Sequence, residues 1–289
     1  MKKILPFLLF FVFITAQGQY NENAPWMKSI QYKKSNAKTE FKDISSAFNA
    51  YWKGKDHNRK GIGFKPFKRW EHHWQHYVME DGSIASPSIM WKAWEQKQNM
   101  AKSSVSNWVS KGPFTTKRKQ GQGRVNTFIV DPNNDRTFYV GAPSGGLWKS
   151  TDAGVNWTPL SDQLPQIGVS GIAIDPNNSN IIYIATGDDD ARDTYSVGVL
   201  KSTDGGTSWN KTGLDFSTDN RISNEIYIHP EDSNILWVST NIGFYKSTDA
   251  GNTWENTRSG NIMDFKLKPG DPSTIYAVSS SLFYKSTDG

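Results

Sequence analysis

Ser202-Thr203-Asp204-Gly205-Gly206-Thr207-Ser208-Trp209 has the chemistry of a self-contained turn between two strands. An ionised Asp only accepts hydrogen bonds, and in a tight turn its carboxylate can take backbone N–H groups that no strand partner reaches. The Gly two residues on supplies a positive φ. The Trp three residues later offers a large apolar face and an indole N–H for a carbonyl. The same letters return as Ser150-Thr151-Asp152-Ala153-Gly154-Val155-Asn156-Trp157 and as Ser247-Thr248-Asp249-Ala250-Gly251-Asn252-Thr253-Trp254. They begin once more at Ser286-Thr287-Asp288-Gly289, where the sequence ends. Each copy follows a lysine (Lys149, Lys201, Lys246, Lys285), and the serines are spaced 52, 45 and 39 residues apart. Repeats of that length built from short strands predict the blades of a propeller.

The rest of each unit agrees. An apolar run ends at a proline turn in Phe128-Ile129-Val130-Asp131-Pro132, Ile172-Ala173-Ile174-Asp175-Pro176, Ile226-Tyr227-Ile228-His229-Pro230 and Phe265-Lys266-Leu267-Lys268-Pro269. A second β-rich run follows each turn: Thr137 to Val140, Ile181 to Ala185, Ile235 to Ser239 and Thr274 to Val278. The expected fold is all-β: a propeller of four-stranded blades over 108–289, about three and a half of them. A blade left unfinished exposes strand edges, so the chain reads as a fragment of a longer protein.

The Ser-x-Asp-x-Gly-x-x-Trp motif resembles the Asp-box, or bacterial neuraminidase repeat, of sialidases, xyloglucan-cleaving glucanases and sortilin-type propellers. The resemblance covers roughly Trp108 to Gly289. It implies boxes on the outer rim, away from the ligand face, so that Ser150, Asp152, Gly154 and Trp157, Ser202, Asp204, Gly206 and Trp209, Ser247, Asp249, Gly251 and Trp254, and Ser286 and Asp288 are structural. The segments Trp108-Val109-Ser110-Lys111-Gly112-Pro113 and Gly145-Gly146-Leu147-Trp148-Lys149-Ser150 are similar to large secreted propeller proteins of Bacteroidetes.

Residues 1–18 read as an export signal. Lys2 and Lys3 precede an apolar core from Ile4 to Ile14, and Ala16-Gln17-Gly18 gives a small-x-small cleavage site. The apolar run is too short to span a bilayer, so no membrane span is expected and the protein is expected outside the cell or on its surface. There are no cysteines, which excludes disulfides and a thiolate nucleophile. Residues 20–120 carry 19 Lys/Arg against 8 Asp/Glu, and residues 121–289 carry 12 against 20. The basic half bears no nucleic-acid recognition motif, and an exported protein has little occasion to meet nucleic acid. Residues 19–107 read as helical: Phe41, Ile44, Phe48 and Tyr51 share one face, and Phe67, Trp70, Trp74 and Tyr77 another, with Trp91 and Trp94 on a third short helix. His72 and His76, four apart, lack an identifiable third metal ligand.

Two features carry candidate ligand chemistry. Asp188-Asp189-Asp190-Ala191-Arg192-Asp193 lies in an insertion: from proline turn to box the second unit runs 27 residues, against 19 in the first and 18 in the third. Four carboxylates so close repel unless a cation or Arg192 sits among them. Calcium held by Asp188, Asp190 and Asp193 would suit hard oxygen ligands; a solvated acidic loop is the alternative. Arg124, Asn126, Arg221, Asn224 and Glu225 stand at the start of a unit's first strand, which lines a propeller's channel, and either meet a ligand or fill a polar wall. Where the resemblance to xyloglucan-cleaving enzymes implies an acid before the Gly-Gly pair, this sequence has Pro143 in Ala142-Pro143-Ser144-Gly145-Gly146, so half of a two-carboxylate mechanism is missing. Arg221-Ile222-Ser223 lacks the proline of a sialidase Arg-Ile-Pro. No Gly-x-Ser-x-Gly elbow or phosphate loop is present. The expectation is a secreted binding module for extracellular protein or polysaccharide, with no cofactor beyond calcium; the alternative is a glycoside hydrolase whose catalytic acids lie partly outside this chain.

Overall fold

A computed structural model describes residues 24–31, 39–59, 62–100, 123–166, 168–189 and 194–289. The signal-like residues 1–18 lie outside that set, as do Asp190, Arg192 and Asp193. The chain divides into two compact units, Met1–Ala85 and Ser86–Gly289.

In the first unit, helices α1 (Lys28–Gln31), α2 (Phe41–Trp52) and α3 (Phe64–Trp74) enclose an aromatic core. Phe48 and Phe67 stack with centroids 3.7 Å apart, and Trp26 meets both edge-on. Ile44, Phe48 and Trp52 form the buried stripe of α2, while Tyr51 turns to the rim under Lys55. Tyr77 falls in a 3₁₀ turn after α3 and is exposed. No helix among the described residues is long and apolar enough to cross a membrane.

The second unit begins with α4 (Pro87–Asn99). The division falls before this helix and not at 107/108, because Trp91 is buried in a cluster with Tyr139, Leu147, Leu164 and Trp209, and Lys211 lies 4.6 Å from its ring. The remainder is a β-propeller of sequential antiparallel sheets. Blade 1 is β1 (Thr127–Asp131), β2 (Asn134–Ala142), β3 (Gly146–Ser150) and β4 (Thr158–Pro159). Blade 2 is β5 (Val169–Asp175), β6 (Asn178–Thr186), β7 (Gly198–Ser202) and β8 (Asn210–Asp215). Blade 3 is β9 (Ser223–Ile228), β10 (Leu236–Thr240), β11 (Gly243–Ser247) and β12 (Glu255–Ser259). A three-stranded sheet, β13 (Asp264–Lys268), β14 (Asp271–Val278) and β15 (Phe283–Ser286), follows as blade 4. Their first strands β1, β5, β9 and β13 neighbour one another in order. Apolar layers fill the gaps between blades, such as Ala173, Tyr183 and Val199 against Ile226 and Leu236.

Each complete box closes with the bonds its chemistry predicts. In the second, Ser202 Oγ donates to Asp204 Oδ1 (2.8 Å) and accepts from Gly206 N (2.8 Å). Ser208 donates its backbone N–H to Oδ1 and its hydroxyl to Oδ2, and Trp209 Nε1 donates to Gly206 O (3.1 Å). Gly154, Gly206 and Gly251 have φ of +88°, +92° and +86°. The residue before each, Ala153, Gly205 or Ala250, is also left-handed, and its N–H is bonded to the carbonyl of Arg136, Asn180 or Asn234 in its own blade. The lysine ahead of each box lies directly across from an aromatic residue of the second strand. Its Nζ stands 5.2 Å from the ring centroid for Lys149–Tyr139 and Lys201–Tyr183, 5.8 Å for Lys246–Trp237 and 6.0 Å for Lys285–Tyr276. That pair also reaches the next blade, since Tyr183 Oη and Lys201 Nζ both donate to Ala250 O.

A second latch ties the proline turns. Asp131 Oδ1 accepts Ser179 Oγ (2.6 Å) and Asp175 Oδ1 accepts Ser233 Oγ (2.7 Å), each across a blade boundary. Asn133 and Asn177 donate to the same two serine hydroxyls.

The boxes make stability depend on acid. Hydrogen bonds hold the Asp152 carboxyl down to about 2, the Asn156 backbone N–H contributing most, and Asp204 likewise to about 2, chiefly through the Ser208 hydroxyl. Asp249 is lowered by the Thr253 hydroxyl. Because these folded pKa values lie below the unfolded carboxylate value of about 4, the contribution is complete above that pH and disappears as pH falls toward 2. The urea midpoint is expected to drop between pH 4 and pH 2. Asp204→Asn, which cannot accept from both Ser208 donors, should lower the midpoint at pH 6 and shrink the acid-induced drop; a drop of unchanged size would remove the boxes as its source.

Candidate functional site

Inner strands begin at one end of the propeller, and antiparallel pairing puts the loop after each second strand at that same end: Val169 opens β5 opposite Thr186, the last residue of β6. Boxes and proline turns occupy the other end, as the pairs Phe138↔Ser150 and Asp131↔Asn134 require. The insertion after β6 therefore meets the residues preceding β1.

There the structure gathers four candidate residues into one network. Arg124 Nη2 is ion-paired to Asp188 Oδ1, and Arg124 Nε donates to Asn126 Oδ1 (3.0 Å). Asn126 Nδ2 donates to Asp189 Oδ1 (2.9 Å) and to Asp188 Oδ1 (3.4 Å). Asp188 is fully buried, whereas the Arg124 side chain is about one-third exposed. Arg124, from the start of blade 1, thus brings a positive charge to Asp188. Among the described residues no group of three or more His, Cys, Asp or Glu side chains is placed to hold a metal ion.

Buried hydroxyls fasten the insertion's far end. Thr186 Oγ1 donates to Gly198 O (2.7 Å) and accepts Val197 N (2.9 Å). Ser196 Oγ shares a hydrogen bond with Ser223 Oγ (2.9 Å), and its N–H donates to Arg221 O (2.9 Å). Thr194 Oγ1 donates to Pro143 O (3.0 Å), which sets the loop beside the Ala142–Gly145 turn. One segment thereby bridges blades 1 and 3. Thr186, Ser196 and Ser223 carry no motif that marks this role.

Glu225 belongs to a second cluster. Lys266 Nζ lies 3.6 Å from Glu225 Oε2 and 3.0 Å from Asp264 Oδ1, and 5.0 Å from the Tyr227 ring. Burial pushes the Glu225 carboxyl up, only partly offset by the Ile226 N–H and the Lys266 charge. Burial opposes the Lys266 charge, but its bonds to Tyr227 and Asp264 and the Glu225 charge hold the ammonium above its usual range. Asp264 and Glu225 each stand five residues before their unit's proline, so aligning the turns in the sequence already equates them. Asn224, read as meeting a ligand or filling a polar wall, is buried and donates its amide to Ile262 O. Arg221 lies before β9 with Nε 4.0 Å from Asp219 Oδ2, apart from the Arg124 network.

The family model described as Sortilin-Vps10 (sortilin, neurotensin receptor 3) matches residues 145–286. The propeller is sortilin- and xyloglucanase-like. Xyloglucanase Xgh74A of Acetivibrio thermocellus is 30% identical over 134 residues, which is 43% of this chain and 16% of that protein. A Paenibacillus xyloglucanase is 27% identical over 145 residues, 45% of this chain and 14% of that protein. The chain thus spans about a sixth of the length of these curated relatives. Among solved structures, the GH74 enzyme of Niastella koreensis superposes with a TM-score of 0.48 at 25% identity, over 58% of this chain and 29% of that one.

Proposed function

We propose that the protein is a secreted glycan-binding propeller whose ligand lies across the end where the inner strands begin. The observation carrying this reading is the Arg124–Asn126–Asp188–Asp189 network, built from the residues just before β1 and a blade 2 insertion. Fixed amide and carboxylate groups at a rim match the alternating donors and acceptors of sugar hydroxyls. The local similarity to xyloglucanases favours a neutral, β-linked polysaccharide. Pro143 at the position of the expected acid favours capture over cleavage, because proline neither gives nor takes a proton.

Affinity electrophoresis through gels containing xyloglucan tests the reading. Retardation is expected, and Asn126→Ala, which frees Asp189 from its amide partner, should weaken it about tenfold, the worth of a charge-assisted hydrogen bond. Migration unaffected by xyloglucan and by other β-glucans would remove the glycan assignment. Release of reducing ends from the polymer would replace binding with hydrolysis, for which the burial-raised carboxyl of Glu225 is the group to replace first.

A further inference from the structure

The turn latch repeats at the first two blade boundaries and is absent at the third. Asp131 and Asp175 precede their prolines, Asn133 and Asn177 follow them, and Ser179 and Ser233 answer from the next blade. Between blades 3 and 4 all three places have changed, to His229, Glu231 and Pro272. His229 Nδ1 instead accepts the N–H groups of Glu231 and Asp232 (both 3.1 Å). A cavity of about 430 Å³ lies at this boundary, lined by Tyr227, Ile228, Pro230, Glu231, Leu267 and Lys268 with Pro269, Gly270 and Pro272. It is at the turn end of the propeller, opposite the Arg124 network.

The chemistry of its wall selects an occupant. Three prolines contribute carbonyls but no N–H groups, so their backbone only accepts hydrogen bonds. Lys268 is engaged by Asp271 at 3.0 Å. Glu231 is exposed, and among the described residues nothing pairs with its carboxylate. Proline rings, Leu267 and Ile228 offer an apolar floor below that charge. A side chain with an alkyl stem and a cationic, donor-rich head satisfies both parts at once. We propose that this groove docks a polypeptide partner by receiving an arginine side chain, its stem over the prolines and its guanidinium on Glu231.

Fluorescence anisotropy with a labelled Gly-Pro-Leu-Arg-Gly-Gly peptide, and its counterpart with citrulline in place of arginine, tests this on the intact chain. Saturable binding of the arginine peptide is expected, at least about fivefold tighter than the citrulline form, as a rim ion pair with some desolvation would give. Glu231→Gln should erase the difference between the peptides, and Glu231→Lys should abolish binding. The triple variant His229→Asp, Glu231→Asn, Pro272→Ser restores the latch residues and should close the groove, with loss of binding and a raised melting temperature. The single Glu231 variants carry the test on their own if the triple variant does not fold. Equal affinity for both peptides, or none for either, overturns the proposal. Excess xyloglucan should leave the anisotropy unchanged, which separates this groove from the glycan face.

Discussion

Arg124→Met is expected to lower stability by about 3 kcal/mol, the low end of the range for stripping the partner from a buried charge. Asp188 is fully buried and its Oδ1 takes Arg124 Nη2. Asn126 still donates to that oxygen at 3.4 Å, which keeps the loss from being larger. The residual charge then sits at the root of the insertion, so the loop should shift and xyloglucan retardation disappear. Asp188→Asn in the same chain removes the charge that Arg124 had balanced and should recover about half of the lost stability. Urea midpoints of the wild type, both single variants and the double variant form the cycle. A single Arg124→Met variant within about 0.5 kcal/mol of wild type, the range of an ordinary surface change, would show that the pair does not hold blade 2 to blade 1.

What could be read from the sequence alone follows from how local each interaction is. A box encloses its serine, aspartate, glycine and tryptophan within eight residues, and the bonds of its serine hydroxyl and aspartate carboxylate close inside that span, so Ser202 through Trp209 declare their own turn. The recurring lysine was equally visible, but its purpose was not: Lys201 answers Tyr183, eighteen residues back on a neighbouring strand, and the box carbonyl of the following blade. The insertion announced itself by length. That Arg124 pairs with Asp188 required knowing that an inner-strand start and the loop of the next blade share one end of the propeller. Lys266 was hidden differently. It occupies a place held by Ile129 and Ala173 in the first two units, so its pattern looks like a broken apolar run and not like a partner for Glu225. The exchange of Asp, Asn and Ser for His229, Glu231 and Pro272 is plain in the sequence as well, yet only the hydrogen bonds of the other two boundaries give it meaning.

Gly198→Ala should be the most damaging single change in blade 2. Gly198 has φ of +97°, and a Cβ built on it would lie 1.8 Å from Leu214 O, a backbone atom of the adjoining strand that cannot swing aside. Strain at that φ and the forced separation of β7 from β8 together should cost more than about 4 kcal/mol, the exceptional class for one substitution. The damage would reach the candidate site. Gly198 O receives the Thr186 hydroxyl, Gly198 N donates to Ser196 Oγ, and Ser196 holds the insertion to Ser223 and Arg221 of blade 3. Gly260→Ala separates the two causes: its φ is +105°, but a Cβ there meets nothing within 4 Å, so it should lose only the roughly 1–2 kcal/mol of left-handed strain. Ser196→Ala removes the loop's fastening without the clash, and should keep most of the melting temperature while weakening xyloglucan retardation. If Gly198→Ala costs no more than Gly260→Ala, the close approach of β7 to the Leu214 carbonyl is not what positions the insertion, and the hydroxyl network around Ser196 must carry that role unaided.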